Sequence, residues 1–167
     1  LRVSNPGDGV ILVAANINER RQAEEALRES EQRFRDFVRS IGDWVWEVDV
    51  SGQLVYSSPQ IKGLLGYTAE EMLGKSPADT CAPEERRRFL AGQSSLLDDP
   101  LPFRDREIWH RHKDGRRVCL CVTGVPIHDA DGSLRGFRGV GGDVTQHKRE
   151  EEERLRLEAE VQQSRRV

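Results

Sequence analysis

The sequence predicts an α+β domain with an antiparallel sheet, and three observations support this prediction. Runs rich in Trp, Val, Tyr and Ile occur in two groups that are separated by short helical segments. Turns that contain Ser-Gly or Asp-Gly join neighbouring runs within each group, which is typical of β-hairpins. Almost entirely charged segments flank this part of the chain on both sides, and their composition predicts solvated helices.

Composition restricts the location and the partners. The chain has 167 residues, of which 36% are hydrophobic and 33% charged, enough for one core and extended helices. No apolar run approaches the roughly 20 residues that span a bilayer, and no signal peptide is apparent. We therefore expect a cytoplasmic segment without direct membrane contact, although a longer parent protein could be anchored elsewhere. The net charge of −3, with both signs interspersed, predicts no nucleic-acid partner.

Metal and disulfide sites are not predicted. The three cysteines, Cys81, Cys119 and Cys121, are odd in number and form no CxxC pair. This pattern argues against a disulfide framework and against a structural zinc site. We expect free thiols and no bound metal.

The N-terminal segment changes character at Asn16. The run "GVILVAAN", Gly9 to Asn16, predicts a short strand that Asn16 or Asn18 ends by capping the next helix. From Glu19 onwards the chain lacks Gly and Pro as far as position 41, and its small and apolar residues alternate in steps of four and three. This is the spacing of a heptad seam, which predicts pairing with another helix. The seam consists of Ala23, Leu27, Ser30, Phe34, Phe37 and Ile41.

The first group of strands is a predicted hairpin. "DWVWEVDVSGQLVYSS" places Trp44, Trp46 and Val48 on one strand face, with Ser51-Gly52 as the turn. Short helices follow, with predicted N-caps at Ser58 and Thr68. A longer helix is expected to begin at Pro83, because Pro is favoured at the first helical position.

The second group is a predicted three-stranded meander. Its strands are "FRDREIWHRH", "RVCLCVTGVPIHD" and "LRGFRGVGGDV", joined by the turns "KDGR" and "ADGS". The run "GVGGD" lacks the lysine and the glycine spacing of a phosphate-binding loop, so we expect no nucleotide site there.

The chain resembles a PAS domain in three segments that occur in the order typical of that family. They are "DWVWEVDVSGQLVYSSP", "LLGYTAEEMLGK" and the C-terminal meander. The resemblance implies a PAS fold with a five-stranded antiparallel sheet of order 2-1-5-4-3 and short helices on its concave face. The PAS core would span residues 42–146, with N- and C-terminal signalling helices on either side. Residues 147–167 would form the C-terminal signalling helix.

The end of the predicted core resembles a family signature. Asp143-Val144-Thr145 is similar to the Asp-Ile-Thr motif that ties the last strand to the outgoing helix in PAS domains. Asn16-Ile17-Asn18 resembles the same junction, although Asn replaces both the aspartate and the threonine. Residues 1–17 would then be the last strand and junction of an upstream PAS domain. Residues 18–41 would be a linker helix or coiled coil running into the N-cap helix of the PAS core.

The concave face of the predicted sheet is the candidate binding site. Two indoles supply a large apolar volume, so the simplest interpretation is a core that fills itself. The alternative is a small pocket in which a Trp N–H and His110 recognise a metabolite. The predicted pocket residues are Trp44, Trp46, Val48, Tyr56, Ile108, His110, Leu120 and Val122. His112, His128 and His147 lie beside turns or the exit helix and are expected to be exposed.

The family's common cofactors are not expected. In flavin-binding PAS domains a reactive cysteine follows the glycine that resembles Gly74, and here Pro77 falls at its place. The glutamine that contacts flavin falls on Gly141. Haem would need an axial histidine, usually on the long helix before the third strand, and "PEERRRFLAGQSSLL" has none. We predict no flavin or haem, and a small-molecule ligand stays open.

The resemblance implies a sensory role rather than an enzyme active site in this segment. No Ser-His-Asp or Cys-His grouping is supported by a motif. The resemblance implies a homodimer through the flanking helices and an output domain in the same chain. "LRLEAEVQQSRRV" resembles the linker that precedes the dimerisation helix of sensor histidine kinases, which predicts two-component signal transduction. The alternatives are a diguanylate cyclase, a haem or flavin redox sensor, and a passive dimerisation spacer.

Overall fold

A computed structural model describes residues 6–40 and 42–165 of the chain. It divides into two compact units, of which the first contains the N-terminal helix and the second begins at Gly42. Ile41, the last residue of the predicted seam, lies outside the described residues, as do residues 1–5.

The first unit is one long helix, α1, which spans Pro6–Ser40. The strand predicted over Gly9 to Asn16 is therefore wrong, and Asn16-Ile17-Asn18 lies inside a helix rather than at a strand end. The physical reason is backbone hydrogen bonding. A strand needs a neighbouring strand to pair its N–H and C=O groups, whereas a helix pairs them internally. The assignment of residues 1–17 to an upstream PAS domain stays a prediction.

The predicted seam of α1 faces solvent as far as it is described. Leu27, Phe34 and Phe37 are 61%, 52% and 62% exposed, and Ala23 and Ser30 are exposed as well. The heptad spacing therefore places these side chains on an exposed stripe of the helix.

The second unit contains a five-stranded antiparallel sheet. The strands are β1 Trp44–Asp49, β2 Leu54–Ser57, β3 Phe103–Arg111, β4 Arg117–His128 and β5 Leu134–Asp143. Their order is β2-β1-β5-β4-β3, and each neighbouring pair is antiparallel. The predicted α+β class, strand number and strand order are confirmed.

Short helices connect β2 to β3. They are α2 Ile61–Leu65, α3 Ala69–Met72, a 3₁₀ turn at Pro77–Asp79 and α4 Pro83–Asp98. Thr68 caps α3 as predicted: its Oγ1 accepts a hydrogen bond from Glu71 N, and Glu71 Oε2 accepts one from Thr68 N. Ser58 is not a helix cap. It is fully buried, and its Oγ accepts a hydrogen bond from Val45 N of β1 at 2.9 Å.

The core lies between the concave face of the sheet and these helices. Its fully buried members include Leu54, Ile61, Leu65, Met72, Val118 and Leu120. In contrast, α4 has no buried residue along its 16 residues. The helices α2 and α3 thus pack closely on the sheet, whereas α4 covers it loosely. Within the two described ranges, no helix is long and apolar enough to cross a membrane.

Glycines on β4 and β5 allow an indole ring to lie against the sheet. Trp46 is paired with Gly139, which is paired in turn with Gly124. A Cβ atom at Gly139 would lie 2.8 Å from Trp46 Cζ2, and one at Gly124 would lie 2.9 Å from Trp46 Cη2. The ring reaches Phe103 at the far side, with centroids 6.2 Å apart and planes inclined by 18°. Part of the glycine content of "GVGGD" is therefore explained by packing.

Candidate functional site: the concave cavity and the exit junction

A cavity of about 610 Å³ lies between the concave face of the sheet and α4. The structure brings most of the predicted pocket residues to its wall, namely Trp44, Trp46, Val48, Ile108, His110 and Val122. Leu120 is fully buried in the core and does not line the cavity, and Tyr56 lies half-buried on β2. The expectation of a self-filled core is incomplete, because the two indoles leave this space open.

Two groups of wall residues were missed from the sequence. Phe89, Gln93 and Leu96 of α4 line the cavity, and so do Phe103 and Phe137 from the sheet. Strand alternation could have identified Phe137, because it pairs with Val48. It could not have identified both Phe103 and Arg106, because odd- and even-numbered residues of a regular strand face opposite sides of the sheet. An irregularity between these two residues, with Asp105 at φ 51°, turns both towards the cavity.

The helix α4 covers the cavity through few close contacts. A Cβ atom at Gly52 would lie 1.3 Å from Gln93 Nε2, so the Gln93 side chain occupies the space above the β1–β2 turn. Gly92 approaches the Arg106 guanidinium, with a hypothetical Cβ 3.5 Å from Nη1. None of the residues of α4 is itself fully buried, so the helix is less firmly packed than the strands beneath it.

The two indole N–H groups in the cavity wall differ in their bonding. Trp44 Nε1 donates a hydrogen bond to Ser57 Oγ at 2.9 Å. Trp46 Nε1 is buried and has no hydrogen-bond partner among the residues that the structure describes. An unpaired buried donor of this kind costs about 1–3 kcal/mol.

His110 is a buried histidine in a fixed tautomer. Thr80 Oγ1 donates its single proton to Pro77 O at 2.9 Å, so it must accept from His110 Nδ1 at 3.0 Å. The hydrogen-bond network therefore assigns the proton to Nδ1 and leaves Nε2 as an acceptor. Burial lowers the pKa of His110 to about 4. The imidazole is consequently neutral at physiological pH.

His110 and Trp46 act at different ends of the cavity. Trp46 lies in the row of paired residues that includes Gly124 of β4, whereas His110 pairs with Val118. The two rows are six positions apart on β4, which corresponds to ~20 Å along the strand. Trp44 lies in the row of Val122, four positions from Val118, and its N–H is bonded to Ser57. Joint recognition of one small metabolite by a Trp N–H and His110 stays a prediction.

Of the remaining histidines, His128 and His147 are exposed as expected. The side chain of His112 is only 12% exposed, which contradicts the expectation of an exposed residue. It packs beside Gly66, where a Cβ atom would lie 2.7 Å from its Cε1. Its Nδ1 is 2.9 Å from Asp114 Oδ1. Packing against α2 accounts for the difference.

The surroundings of the three cysteines make their thiols poorly reactive. Burial raises the pKa of Cys81 to about 12 and that of Cys119 to about 11, and it also raises the pKa of Cys121. A thiol with a raised pKa carries little thiolate at neutral pH and is a poor nucleophile. All three are free.

Most charges at the cavity are located towards solvent. Four charged wall residues are exposed, namely Arg88, Asp105, Arg106 and Glu107, and Asp49 is half-buried. The Glu85 side chain is the most enclosed of the charged wall groups for which an exposure is given, at 19%. The Arg106 guanidinium lies 4.9 Å from the centroid of the Phe103 ring, and Arg88 Nη1 is 3.8 Å from Glu85 Oε2. The cavity wall is therefore mainly apolar, with its charged groups mostly at the exposed rim and the Glu85 carboxylate the main exception.

A second candidate region is the junction between β5 and the exit helix α5, which spans Thr145–Arg165. Asp143 Oδ1 accepts hydrogen bonds from Thr145 N at 2.8 Å and from the Thr145 hydroxyl. Thr145 Oγ1 accepts a bond from Cys119 N at 2.9 Å, and Val144 N donates to Cys119 O at 2.9 Å. The start of α5 is thus attached to one residue of β4, Cys119, through both its N–H and its C=O group.

An ion pair joins α5 to β3 as well. Lys148 Nζ lies 2.7 Å from Glu151 Oε2 on the same helix and 2.9 Å from Glu107 Oε2 on β3. Hydrogen bonds to Glu151 and Glu107 raise the pKa of Lys148. On β3, Arg106 and Ile108 flank Glu107 and line the cavity. The sequence does not reveal this pair, because a contact between β3 and α5 depends on the tertiary fold.

Farther along α5, apolar side chains face solvent. Leu155, Leu157 and Val161 are 52%, 49% and 52% exposed. The sequence allows one seam through Leu157 and Val161 and another through Leu155, and both are accessible. The coiled-coil register of this helix stays open.

Comparisons with known proteins agree with the fold. A family model described as PAS domain matches residues 42–146. The chain is 30% identical over 141 residues to the C4-dicarboxylate transport sensor protein DctS of Rhodobacter capsulatus. The aligned region covers 83% of the chain and 21% of DctS. The chain is also 24% identical over 116 residues to the aerobic respiration control sensor protein ArcB of Escherichia coli. That aligned region covers 70% of the chain and 15% of ArcB.

A solved structure of similar fold is the sensory box histidine kinase/response regulator of Burkholderia thailandensis. It shares 25% identity with the chain at a TM-score of 0.60, covering 81% of the chain and 99% of the solved structure. The chain spans 21% and 15% of the lengths of DctS and ArcB, so it corresponds to one segment of each.

Proposed function

Since the chain belongs to the PAS-domain family, we propose that it is a sensory segment of a longer signalling protein, most simply a sensor histidine kinase. In this proposal the PAS core senses a signal or mediates dimerisation, and the flanking helices transmit the change to an output domain in the same chain. The segment itself carries no catalytic activity and acts in the cytoplasm. Relatives named as sensor proteins support the signalling role.

The observation that carries the proposal is the attachment of α5 to the sheet. Thr145 and Val144 both bond to Cys119, and Lys148 bonds to Glu107. A shift of β3 or β4 would therefore change the direction in which α5 leaves the sheet. Because Ile108 and Val122 of these strands line the cavity, occupancy of the cavity could bias this shift.

The proposed ligand of the cavity is a small molecule rather than flavin or haem. Pro77 lines the cavity. By the family resemblance, it stands where flavin-binding PAS domains have their reactive cysteine. The nearby Cys81 thiol, with its pKa raised to about 12, does not replace that cysteine.

Dimerisation is proposed to occur through the flanking helices. Heptad spacing and exposure of the seam on α1 support this proposal. Leu27→Asp should shift the chain from dimer to monomer in analytical ultracentrifugation, because a charge in a seam is costly. Gln22→Asp, outside the seam, is the control and should leave the dimer intact. A monomeric natural chain, or equal effects of both variants, would contradict the proposal.

Signal transmission is tested in the full-length parent protein. We expect Asp143→Ala combined with Thr145→Ala to uncouple output activity from the stimulus while the protein stays folded. Unchanged signal-dependent kinase output would show that the junction does not transmit the signal. An absorbance spectrum and native mass spectrometry of protein purified from cells test the ligand separately. Absorbance bands of flavin or haem would contradict the proposed ligand class.

A further inference from the structure

The cavity wall suits a small molecule with an apolar body. Its volume of about 610 Å³ falls within the range of small-molecule sites in proteins. Ile108 and Val122 of the sheet and Phe89 and Leu96 of α4 are among the side chains that line it. A hydrocarbon body placed against them would leave water, which is favourable. The polar groups of the wall then decide what that body carries.

His110 contributes an unpaired hydrogen-bond acceptor to this wall. The residue is 3% exposed, and its Nδ1 lies 3.0 Å from Thr80 Oγ1. With the proton on Nδ1, the Nε2 atom can only accept, and its lone pair is directed away from Thr80. Nε2 has no hydrogen-bond partner among the described residues, and unlike Trp46 Nε1 it is not fully enclosed. A ligand N–H or O–H group at this point would satisfy it.

The charged groups of the wall are four carboxylates and two guanidinium groups, and most of them are engaged elsewhere. Asp49 Oδ1 accepts hydrogen bonds from two N–H groups of the β1–β2 turn at 2.9 and 3.0 Å. Glu107 is paired with a lysine of α5, and Asp105 Oδ1 accepts from a thiol of β4 at 3.9 Å. The Arg106 guanidinium lies 4.9 Å from the centroid of an aromatic ring of β3.

Glu85, in the first turn of α4, is the exception. Its side chain is 19% exposed, and its ion-pair partner in the described part of the chain is Arg88. Arg88 Nη1 lies 3.8 Å from Glu85 Oε2, beyond hydrogen-bond distance, and the Arg88 side chain is 78% exposed. Neither oxygen of Glu85 is fully enclosed. Among the described wall residues, this carboxylate is therefore the charged group best placed to accept a hydrogen bond from a ligand.

Glu85 and His110 belong to the same end of the cavity. Cys81 forms an antiparallel bridge with His110, and α4 begins directly after Ala82. Ala82 N donates to Trp109 O at 2.8 Å, and Glu85 N donates to Ala82 O at 2.9 Å. Burial and, after it, the negative charge of Glu85 raise the pKa of the Cys81 thiol, which is evidence that the carboxylate lies near Cys81. This end of the cavity therefore offers two acceptors, one of which is charged.

From these observations we infer that the cavity binds an amine with an apolar body, whose ammonium group pairs with Glu85 at the end of the cavity where His110 Nε2 is a second acceptor. This inference rests on the proposed role of the cavity as a small-molecule site and specifies its ligand class. An anionic ligand would be repelled by the Glu85 carboxylate, and a neutral donor would gain a weaker hydrogen bond from it.

Three matched probes test the inference on the 167-residue chain at pH 7: cyclohexylmethylamine, cyclohexylmethanol and cyclohexanecarboxylate. They share one saturated ring and differ in having a cationic donor, a neutral donor or a carboxylate. The amine is protonated at this pH, as a lysine side chain is. Titrations are followed by NMR of the ¹⁵N-labelled histidine rings, in which the exposed His128 and His147 serve as internal references.

We expect cyclohexylmethylamine to bind about tenfold more tightly than cyclohexylmethanol, because a hydrogen bond to a charged group is stronger when the donor is charged as well. Cyclohexanecarboxylate should bind at least about tenfold more weakly than the amine. Addition of the amine should shift the Nε2 signal of His110 and leave those of His128 and His147 unchanged.

Glu85→Gln should lower the affinity for the amine about tenfold and change that for the alcohol by less than about twofold. Glu84→Gln is the matched control, because Glu84 lies in the same turn, pairs with Arg117 and is outside the described cavity wall. It should leave the binding of all three probes unchanged. Unaltered binding of the alcohol shows that the cavity of a variant is intact. If Glu85→Gln fails to fold, the order of the probes on the natural chain decides.

Tightest binding of cyclohexanecarboxylate, or equal affinity for the amine and the alcohol, would overturn the cationic class. An amine preference that persists in Glu85→Gln, or an unchanged Nε2 signal of His110, would overturn the proposed location. Absence of binding by all three probes would overturn the site. None of these results affects the uncoupling experiment on Asp143 and Thr145, so failure of the ligand class and failure of the sensory function are distinguishable.

Discussion

Two similar stretches of this chain have different structures. Asn16-Ile17-Asn18 and Asp143-Val144-Thr145 are both followed by a highly charged sequence, in which Glu24 and Glu25 match Glu151 and Glu152 in spacing. The first stretch lies inside the uninterrupted helix α1, whereas the second is the end of β5 and the start of α5. The resemblance between the two segments therefore did not determine their local structure.

The difference lies in the neighbours available to the backbone. At the second stretch, Cys119 of β4 supplies both an N–H and a C=O group to residues 144 and 145. Within the described part of α1, the backbone at the first stretch has helical partners instead. A strand-to-helix junction is thus a tertiary feature that requires a sheet beside it.

The largest expected effect is that of Thr145→Val, which keeps the shape of the side chain but removes the hydroxyl. Cys119 N would lose its acceptor in a buried environment, at a cost of about 1–3 kcal/mol in the free energy of unfolding. Urea unfolding measures this change. Asn18→Ala, the matched change in α1, should stay within about 0.5 kcal/mol. Equal costs at the two positions would contradict the comparison.

An intermediate effect is expected from pH, which should act on the sheet unit. Burial lowers the pKa of His110 to about 4, against about 6.5 in the unfolded chain. The unfolded state therefore binds a proton between these values, so stability is complete above pH 6.5 and falls as pH decreases towards 4. Between pH 7 and pH 5 the loss should be about 2 kcal/mol.

Urea unfolding at the two pH values measures this dependence. His110→Gln should remove most of it, and His128→Gln, at an exposed position, should retain it. The same pH dependence in His110→Gln would show that other groups are responsible.

The smallest effect compares one ion pair in each region. Lys148→Gln should increase hydrogen-exchange rates in the first turn of α5 several-fold, because its partner Glu107 lies on a different element. Arg20→Gln removes an exposed pair with Glu24 within α1 and should change exchange there little. Equal responses would mean that the Lys148 contact does not hold α5 to the sheet.

Much of the site could be predicted because strand alternation requires no tertiary information. Trp44, Trp46 and Val48 were placed on one face by period two alone, and Ile108 and His110 were assigned to the same side. Phe103 was missed because the irregularity near Asp105 changes the parity of β3. The α4 residues were missed because the sequence does not show how far that helix lies from the sheet.

The sequence by itself determined the α+β class, the five strands and, through the family resemblance, their order. These properties follow from alternation, turn residues and capping residues, which act over a few neighbouring positions. Tertiary structure alone decided that α4 leaves a cavity, that the Trp46 N–H has no partner among the described residues, and that Asn16-Ile17-Asn18 is helical. Each of these features depends on contacts between residues that are far apart in the sequence, and the local sequence pattern does not specify such contacts.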